Sequence, residues 1–347
     1  MVKRHLNTLF VTTQGAYLAK EGEAVLVKIE KERKLKLPLL TLDGIICFGN
    51  VSASPFLLGA CGEAGLTVSF LTERGRFLYR SVGTVSGNVL LRRQQYRLAD
   101  SDEASAAIAT NIVTGKIANS RYVLQRFLRD HRSEENEHRL VKDAVRTLGM
   151  AIKQLANSDG ISLDFIRGIE GDSSRCYFQV FNHLITAQKD FFQFHGRNRR
   201  PPLDPVNAML SFCYMLLMHD IRSALEAVGL DPAVGFLHRD RPGRMSLALD
   251  MMEEFRSILV DRFVLSLINR RQVSPGGFET TGSGAVSMDD ETRKTILVNW
   301  QKRKQEELNH PFLKEKVSIG LLPHIQARLM SRYIRGDLDG YPPFLSR

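Results

Sequence analysis

The sequence predicts an α+β protein: a small N-terminal β-rich, sandwich-like domain followed by a larger all-α catalytic domain. Three observations carry this. Residues 6–86 read as short strands separated by turns, residues 83–88 are rich in Gly, Ser and Thr, and beyond them the apolar pattern has helical spacing. At 347 residues the chain is long enough for two domains. The expected boundaries are 1–86 for the β-rich domain, 87–103 for a hinge and linker helix, and 104–347 for the helical domain.

Strand-like runs fall at 9–12, 17–20, 24–29, 35–39 and 45–48, with a hairpin turn at Glu21, Gly22 and Glu23. One short helix is expected at 55–64, with Ser54 as its cap, Pro55 at its first position and Gly65 as its stop. Strands return at 66–71 and 77–82. Exposed sheet edges in such a domain suit pairing with a second subunit.

Helices are expected at 90–98, 104–129, 134–156, 206–228, 246–268, 290–308 and 322–335, with a proline break at 201–205. Residues 272–289, rich in Gly, Ser and Thr, read as a flexible loop or small turn.

Composition narrows the class. Hydrophobic residues make up 43% and charged residues 25%, as in soluble proteins with full cores. No apolar run approaches the ~18 residues of a membrane span, and the first residues lead into a strand, so a cytoplasmic location is expected. Cys47, Cys61, Cys176 and Cys213 have no CxxC spacing and read as reduced thiols, not a zinc site. The net charge of +10 favours a polyanionic partner, and Arg197, Arg199 and Arg200, Arg92, Arg93 and Arg97, and Lys302, Arg303 and Lys304 are clusters that suit phosphates.

The most unusual stretch is 235–256. A polar loop carrying His238, Arg239, Arg241 and Arg244 runs into an apolar helix opening at Ser246, and that helix contains Asp250 and Glu253. Three residues apart, the two acids share a face. A buried carboxylate needs a positive partner or it takes up a proton. Arg239, Arg241, Arg244 or Arg256 could be that partner. So could a divalent ion, for which His238 with the acids is a suitable donor set. Glu254 swings about 100° away and reads as a salt-bridge residue. Glu170, in a second unusual segment, reads as lying at a break before the helix that carries Tyr177 and Phe178. A helix-capping role is open to it there, as is a metal role.

Taken together, Gly168-Ile169-Glu170-Gly171-Asp172-Ser173-Ser174-Arg175-Cys176-Tyr177-Phe178, Gly235-Phe236-Leu237-His238 and Ser246-Leu247-Ala248-Leu249-Asp250-Met251-Met252-Glu253-Glu254-Phe255-Arg256 resemble the CRISPR-associated adaptation integrase family, with the flavour of type I-C versions. His310-Pro311-Phe312-Leu313 and Tyr341-Pro342-Pro343-Phe344 extend the resemblance over nearly the whole chain. The resemblance implies a β-rich domain that dimerises, a helical catalytic domain, and three metal ligands, Glu170, His238 and Glu253. Asp250 matches an additional acid of the family and is expected beside the metal, or bound to it through water.

Two carboxylates and an imidazole suit Mn²⁺ or Mg²⁺, the nitrogen favouring Mn²⁺. Such a site cleaves DNA when water attacks, and transfers a strand when a 3′-hydroxyl attacks. Arg239, Arg241, Arg244, Arg197, Arg199 and Arg200 are the candidate DNA contacts. The expected partners are double-stranded, branched DNA, a second copy of the chain, and a small ferredoxin-like CRISPR adaptation protein. A repair nuclease of branched DNA and a noncatalytic DNA-binding scaffold are the competing readings.

Overall fold

A computed structural model describes residues 7–73, 75–81, 83, 89–131, 135–157, 160–198 and 201–346. Arg199, Arg200, His5 and most of the expected hinge at 83–88 lie outside the described residues.

The chain divides into two compact units. The first comprises Met1–Gly87, Asp290–Glu307 and Ser318–Leu321. Its two four-stranded sheets have the orders β1-β5-β7-β8 and β4-β3-β2-β6. In the first sheet, β1 (Thr8–Val11), β5 (Gly44–Phe48) and β7 (Thr67–Leu71) are parallel, and β8 (Phe77–Ser81) runs antiparallel to β7. In the second, β2 (Tyr17–Glu21), β3 (Ala24–Ile29) and β4 (Glu32–Pro38) form an antiparallel meander, and β6 (Ser52–Ala53) pairs parallel with β2. The β2–β3 turn needs Gly22, whose φ of 61° is in the left-handed region. Leu18 and Val25 from one sheet and Ile45, Cys47 and Val68 from the other share one apolar core. Helix α1 (Pro55–Glu63) is capped as expected, Ser54 Oγ accepting the Leu57 N–H at 3.2 Å.

The second unit comprises Asn88–Asp289, Leu308–Val317 and Leu322–Arg347. Its helices are α2 (Val89–Ala99), α3 (Asp102–Asp130), α4 (Glu135–Ala156), α5 (Leu163–Gln179), α6 (Pro205–Ala227), α7 (Ser246–Glu253), α8 (Arg262–Asn269) and α10 (Leu322–Ile334). Helix α3 is the axis of this unit: α4, α5 and α7 all pack on it. Ser101 caps it, and Ile108, Ile112, Val123 and Leu124 form its buried stripe. Helix α9 (Asp290–Gln305) groups with the β-rich unit, where Lys304 Nζ reaches Thr8 Oγ1 at 3.5 Å. That departs from an expected helical domain continuous over 104–347.

Three local expectations need correction. The stretch 246–268 is not one α-helix: α7 ends at Glu253, Arg256–Asp261 is π-helical, and α8 follows. π-turns of this kind recur at functional sites. Ser246 is the first helical residue and Met245 the cap position, with no side-chain cap bond. Residues 272–289 are not a structureless loop. They hold a hairpin of β9 (Phe278–Thr280) and β10 (Val286–Met288). Phe278 packs on Phe191 and Phe192, and Val286 N–H donates to Pro202 O at 2.9 Å. Short polar strands between glycines left too little periodicity to read, and tertiary packing supplies what the local sequence lacks.

Candidate functional site

Glu170 sits in the middle of α5, not at a helix start. Gly168 and Gly171 suggested a break, but the helix runs through both because Ile166, Ile169 and Tyr177 bury its inner face. Ser174, one turn on, donates its hydroxyl to Glu170 Oε1 at 3.0 Å. His238 lies on the loop before α7, and Glu253 is the last residue of α7. All three side chains border one cavity of about 750 Å³ within the helical unit.

Asp250 is tied to the loop that carries His238. It is fully buried, and both its oxygens are spent on the loop. Oδ2 accepts the N–H groups of Phe236 at 2.6 Å and Leu237 at 3.0 Å, and Oδ1 accepts that of His238 at 3.0 Å. Oδ1 also lies 2.6 Å from His238 Nδ1. A carboxylate so loaded acts as acceptor to the ring, which puts the imidazole hydrogen on Nδ1 and leaves the Nε2 lone pair for a ligand. Asp250 therefore orients the His238 ring, and of the two residues only His238 borders the cavity. Gly235 makes this possible, because a Cβ there would lie 2.7 Å from Asp250 Oδ2.

Glu253 is almost wholly buried and is held by cations from two directions. Arg256 Nε lies 3.0 Å from its Oε1, and Lys116 Nζ lies 2.7 Å from its Oε2. Burial works to raise the Glu253 pKa, but the charges of Arg256 and Lys116 outweigh it and bring the carboxyl to about 2. Arg256 also stacks over the Tyr214 ring at 4.9 Å. Lys116, on α3, pairs with Glu170 Oε1 as well, so its ammonium bridges the two acids. Among the described residues no three His, Cys, Asp or Glu side chains converge at metal-ligand spacing.

The residues nonetheless fit a divalent cation. The donor set is two carboxylates and an oriented imidazole nitrogen. A cation, the lysine ammonium, already bridges the carboxylates. Glu253 Oε2, though close to that ammonium, is a buried acceptor with no donor aligned to it.

The arginine expectations divide. Arg244 borders the cavity, and Arg175 and Arg256 join it there. Arg197 borders it too but is fixed by the protein, donating to Asn207 Oδ1 at 2.5 Å and Ser211 Oγ at 3.1 Å. Arg239 turns away to pair with Asp164 at 2.8 Å, and Arg241 is exposed. In two other basic clusters, Lys304 is buried and Arg92 donates to Gly229 O at 3.2 Å, so neither is spent wholly on a free surface.

Glu254 is not a salt-bridge residue. It is fully buried and accepts from Tyr341 Oη at 2.5 Å, Phe344 N–H at 2.8 Å and Gln326 Nε2 at 3.1 Å. Burial pushes its pKa up to about 7 despite those bonds. On the cavity wall, burial likewise raises Asp261 to about 6, against the hydrogen bond it receives from Tyr214.

Lys116 was missed by sequence reasoning, and a signal existed. It is in phase with Ile108 and Ile112 on the buried stripe of α3, where a lysine has no reason to be unless acids await it.

A β-rich unit joined to a helical unit, with a carboxylate–imidazole cluster in an arginine-bordered cavity, defines a protein built to act on a phosphate-bearing polymer. The family model described as "CRISPR associated protein Cas1" matches residues 9–302, and the chain belongs to that family. It is 56% identical over 346 residues to "CRISPR-associated endonuclease Cas1 1" of Chlorobaculum tepidum, covering 100% of both chains. A solved "Casposase bound to integration product" shares the fold with a TM-score of 0.81 at 22% identity, covering 98% of this chain and 94% of that one. The "Cas6-RT-Cas1--Cas2 complex" does so with a TM-score of 0.82 at 21% identity, covering all of this chain and 37% of that one. Among the described residues no helix is long and apolar enough to cross a membrane.

Proposed function

We propose that this chain is a metal-dependent DNA endonuclease and integrase of CRISPR adaptation, which joins the 3′ ends of captured DNA to the repeat array by transesterification. The observation that carries the reading is the meeting of Glu170, His238 and Glu253, from three separate segments, on one cavity with Arg175, Arg244 and Arg256 at its border. The 56% identity to a Cas1 endonuclease over the whole chain supports the activity.

Glu170, Glu253 and His238 would hold a divalent ion, which would supply Lewis-acid polarisation of phosphoryl oxygens and activation of the attacking hydroxyl. Asp250 fixes the imidazole so that Nε2 stays aimed. Arg175 and Arg244 draw the DNA backbone into the cavity, and Arg256 keeps Glu253 ionised and in place. Strand transfer conserves the number of phosphodiester bonds and therefore requires no nucleotide hydrolysis. The nitrogen donor favours Mn²⁺ over Mg²⁺.

The partners are branched double-stranded DNA, a second copy of the chain through the β-rich unit at 1–86, and a small ferredoxin-like protein of CRISPR adaptation. The Cas1–Cas2 assembly of a protein with the same fold supports the last. The remaining candidate arginines, Arg197 and Arg241 among the described residues with Arg239 where Asp164 releases it, extend the DNA path.

The test is incubation of the protein with branched DNA and Mn²⁺. Cleavage or strand transfer that disappears with EDTA, in Glu170→Gln and in His238→Ala is the expected result. DNA binding without either reaction, with both variants indistinguishable from wild type, would leave only the scaffold reading.

A further inference from the structure

Lys116 raises a question that the metal site alone does not answer. Its side chain is 13% exposed, and its ammonium contacts both Glu170 and Glu253. It reaches them from α3, where Ile108, Ile112 and Ile117 are buried and Gly115 packs close to Pro343. Lys116 is therefore built into the core and not draped over the site.

Charge bookkeeping shows what it does. Glu170 and Glu253 bring two negative charges, and Lys116 with Arg256 brings two positive ones. These four side chains balance in formal charge without metal, and Lys116 keeps the two carboxylates close together. A divalent ion added to that neutral group meets two cations, and Lys116 stands between the ligands it needs. Arg256 holds Glu253 Oε1, on the side away from Lys116, and can stay. Lys116, on a flexible four-carbon stem, is the group that can yield.

We propose that Lys116 is a resident counter-cation that holds the two acidic ligands together in the metal-free protein and is exchanged for the divalent ion on loading. The inference rests on the metal-site reading above. Its consequence is that metal affinity is set by competition between the ammonium and the ion, as in any linked exchange at one place. The lysine keeps the site assembled before metal arrives, and it weakens binding as the cost of doing so.

The experiment uses full-length, DNA-free protein and Mn²⁺ alone, titrated by electron paramagnetic resonance. Lys116→Met is expected to bind Mn²⁺ on the order of tenfold more tightly than wild type, since the competitor is gone. Equal or weaker binding in a folded Lys116→Met overturns the proposal. Should that variant not fold, wild-type protein decides: amine acylation followed by peptide mass spectrometry reads Lys116 with and without Mn²⁺. A severalfold rise in labelling on Mn²⁺ addition supports exchange, and no rise overturns it. Absence of Mn²⁺ binding by wild type sinks the metal-site reading and this inference together. Binding by wild type with no gain in Lys116→Met sinks this inference alone.

Discussion

Asp250 and His238 are joined twice. The ring Nδ1 lies 2.6 Å from Asp250 Oδ1, and the same oxygen accepts the His238 backbone N–H at 3.0 Å. One buried carboxylate thus sets both the path of the loop and the face the imidazole offers.

Asp250→Asn breaks this pairing without changing side-chain volume. An amide has one oxygen for four donors, so buried N–H groups of the 236–238 loop lose their acceptor. The expected cost is about 2–4 kcal/mol of stability and roughly 10–100-fold in Mn²⁺ affinity. Urea denaturation and Mn²⁺ titration check the two effects separately. Unchanged metal affinity in the folded variant would remove Asp250 from the account of the site.

Gly235→Ala attacks the same loop from the other side. Its Cβ would meet Asp250 Oδ2 at 2.7 Å and the Ser246 carbonyl carbon at the same distance. The expected destabilisation is about 1–3 kcal/mol, as for overpacking elsewhere, and nuclease activity falls with it. A thermal melt equal to wild type would mean the loop has slack that the geometry does not suggest.

The two glutamates should separate by stability. Glu170 has a side chain 27% exposed and Glu253 one only 4% exposed. Glu253→Gln strands Arg256 in the interior beside Tyr214 and is expected to cost about 3–5 kcal/mol. Glu170→Gln should cost about 1 kcal/mol or less while abolishing cleavage. Urea midpoints for both variants, read against activity on branched DNA, decide it, and equal stability losses would contradict the burial argument.

The pH dependence follows from three buried acids. Burial raises Glu254 to about 7 and Asp261 to about 6, so their neutral forms suit the folded state. Their contribution is complete below the usual carboxylate range near 4 and is lost as pH rises through 6 and 7. Glu253 is opposite in sign: despite burial, Arg256 and Lys116 hold it down to about 2, and its contribution is lost as pH falls from about 4.5 towards 2. Denaturation at pH 5.5 and pH 8 should show lower stability at pH 8, with a smaller difference in Glu254→Gln. A variant whose pH slope matches wild type would assign the alkaline loss elsewhere.

Much of this was legible in the chain. Ser54 before Pro55 announced α1, and the strand–glycine–strand pattern around Gly22 announced its hairpin, because local chemistry decides both. Glu253 stood out because a charged group in an apolar helix demands a partner, and the family resemblance tied His238 and Glu170 to it. What stayed hidden depends on distant segments. Nothing near Glu254 names Tyr341, Gln326 and Phe344 as its donors, so adjacency to Glu253 suggested a salt bridge. Nothing near Asp250 shows that the 236–238 loop turns its N–H groups inward to meet it. Lys116 was visible in principle, but only to a reading that asked why a lysine sits on an apolar stripe.

The lining of Glu254 also sets an order of events during synthesis. Phe344, whose N–H it accepts, is made 90 residues later. At about 5–20 residues per second the ribosome takes roughly 5–18 s to cover that distance. Until then the residue just past α7 carries a carboxyl whose set of donors is incomplete, Gln326 and Tyr341 preceding Phe344. A chain cut before Tyr341 would therefore leave that buried carboxyl without two of its three donors.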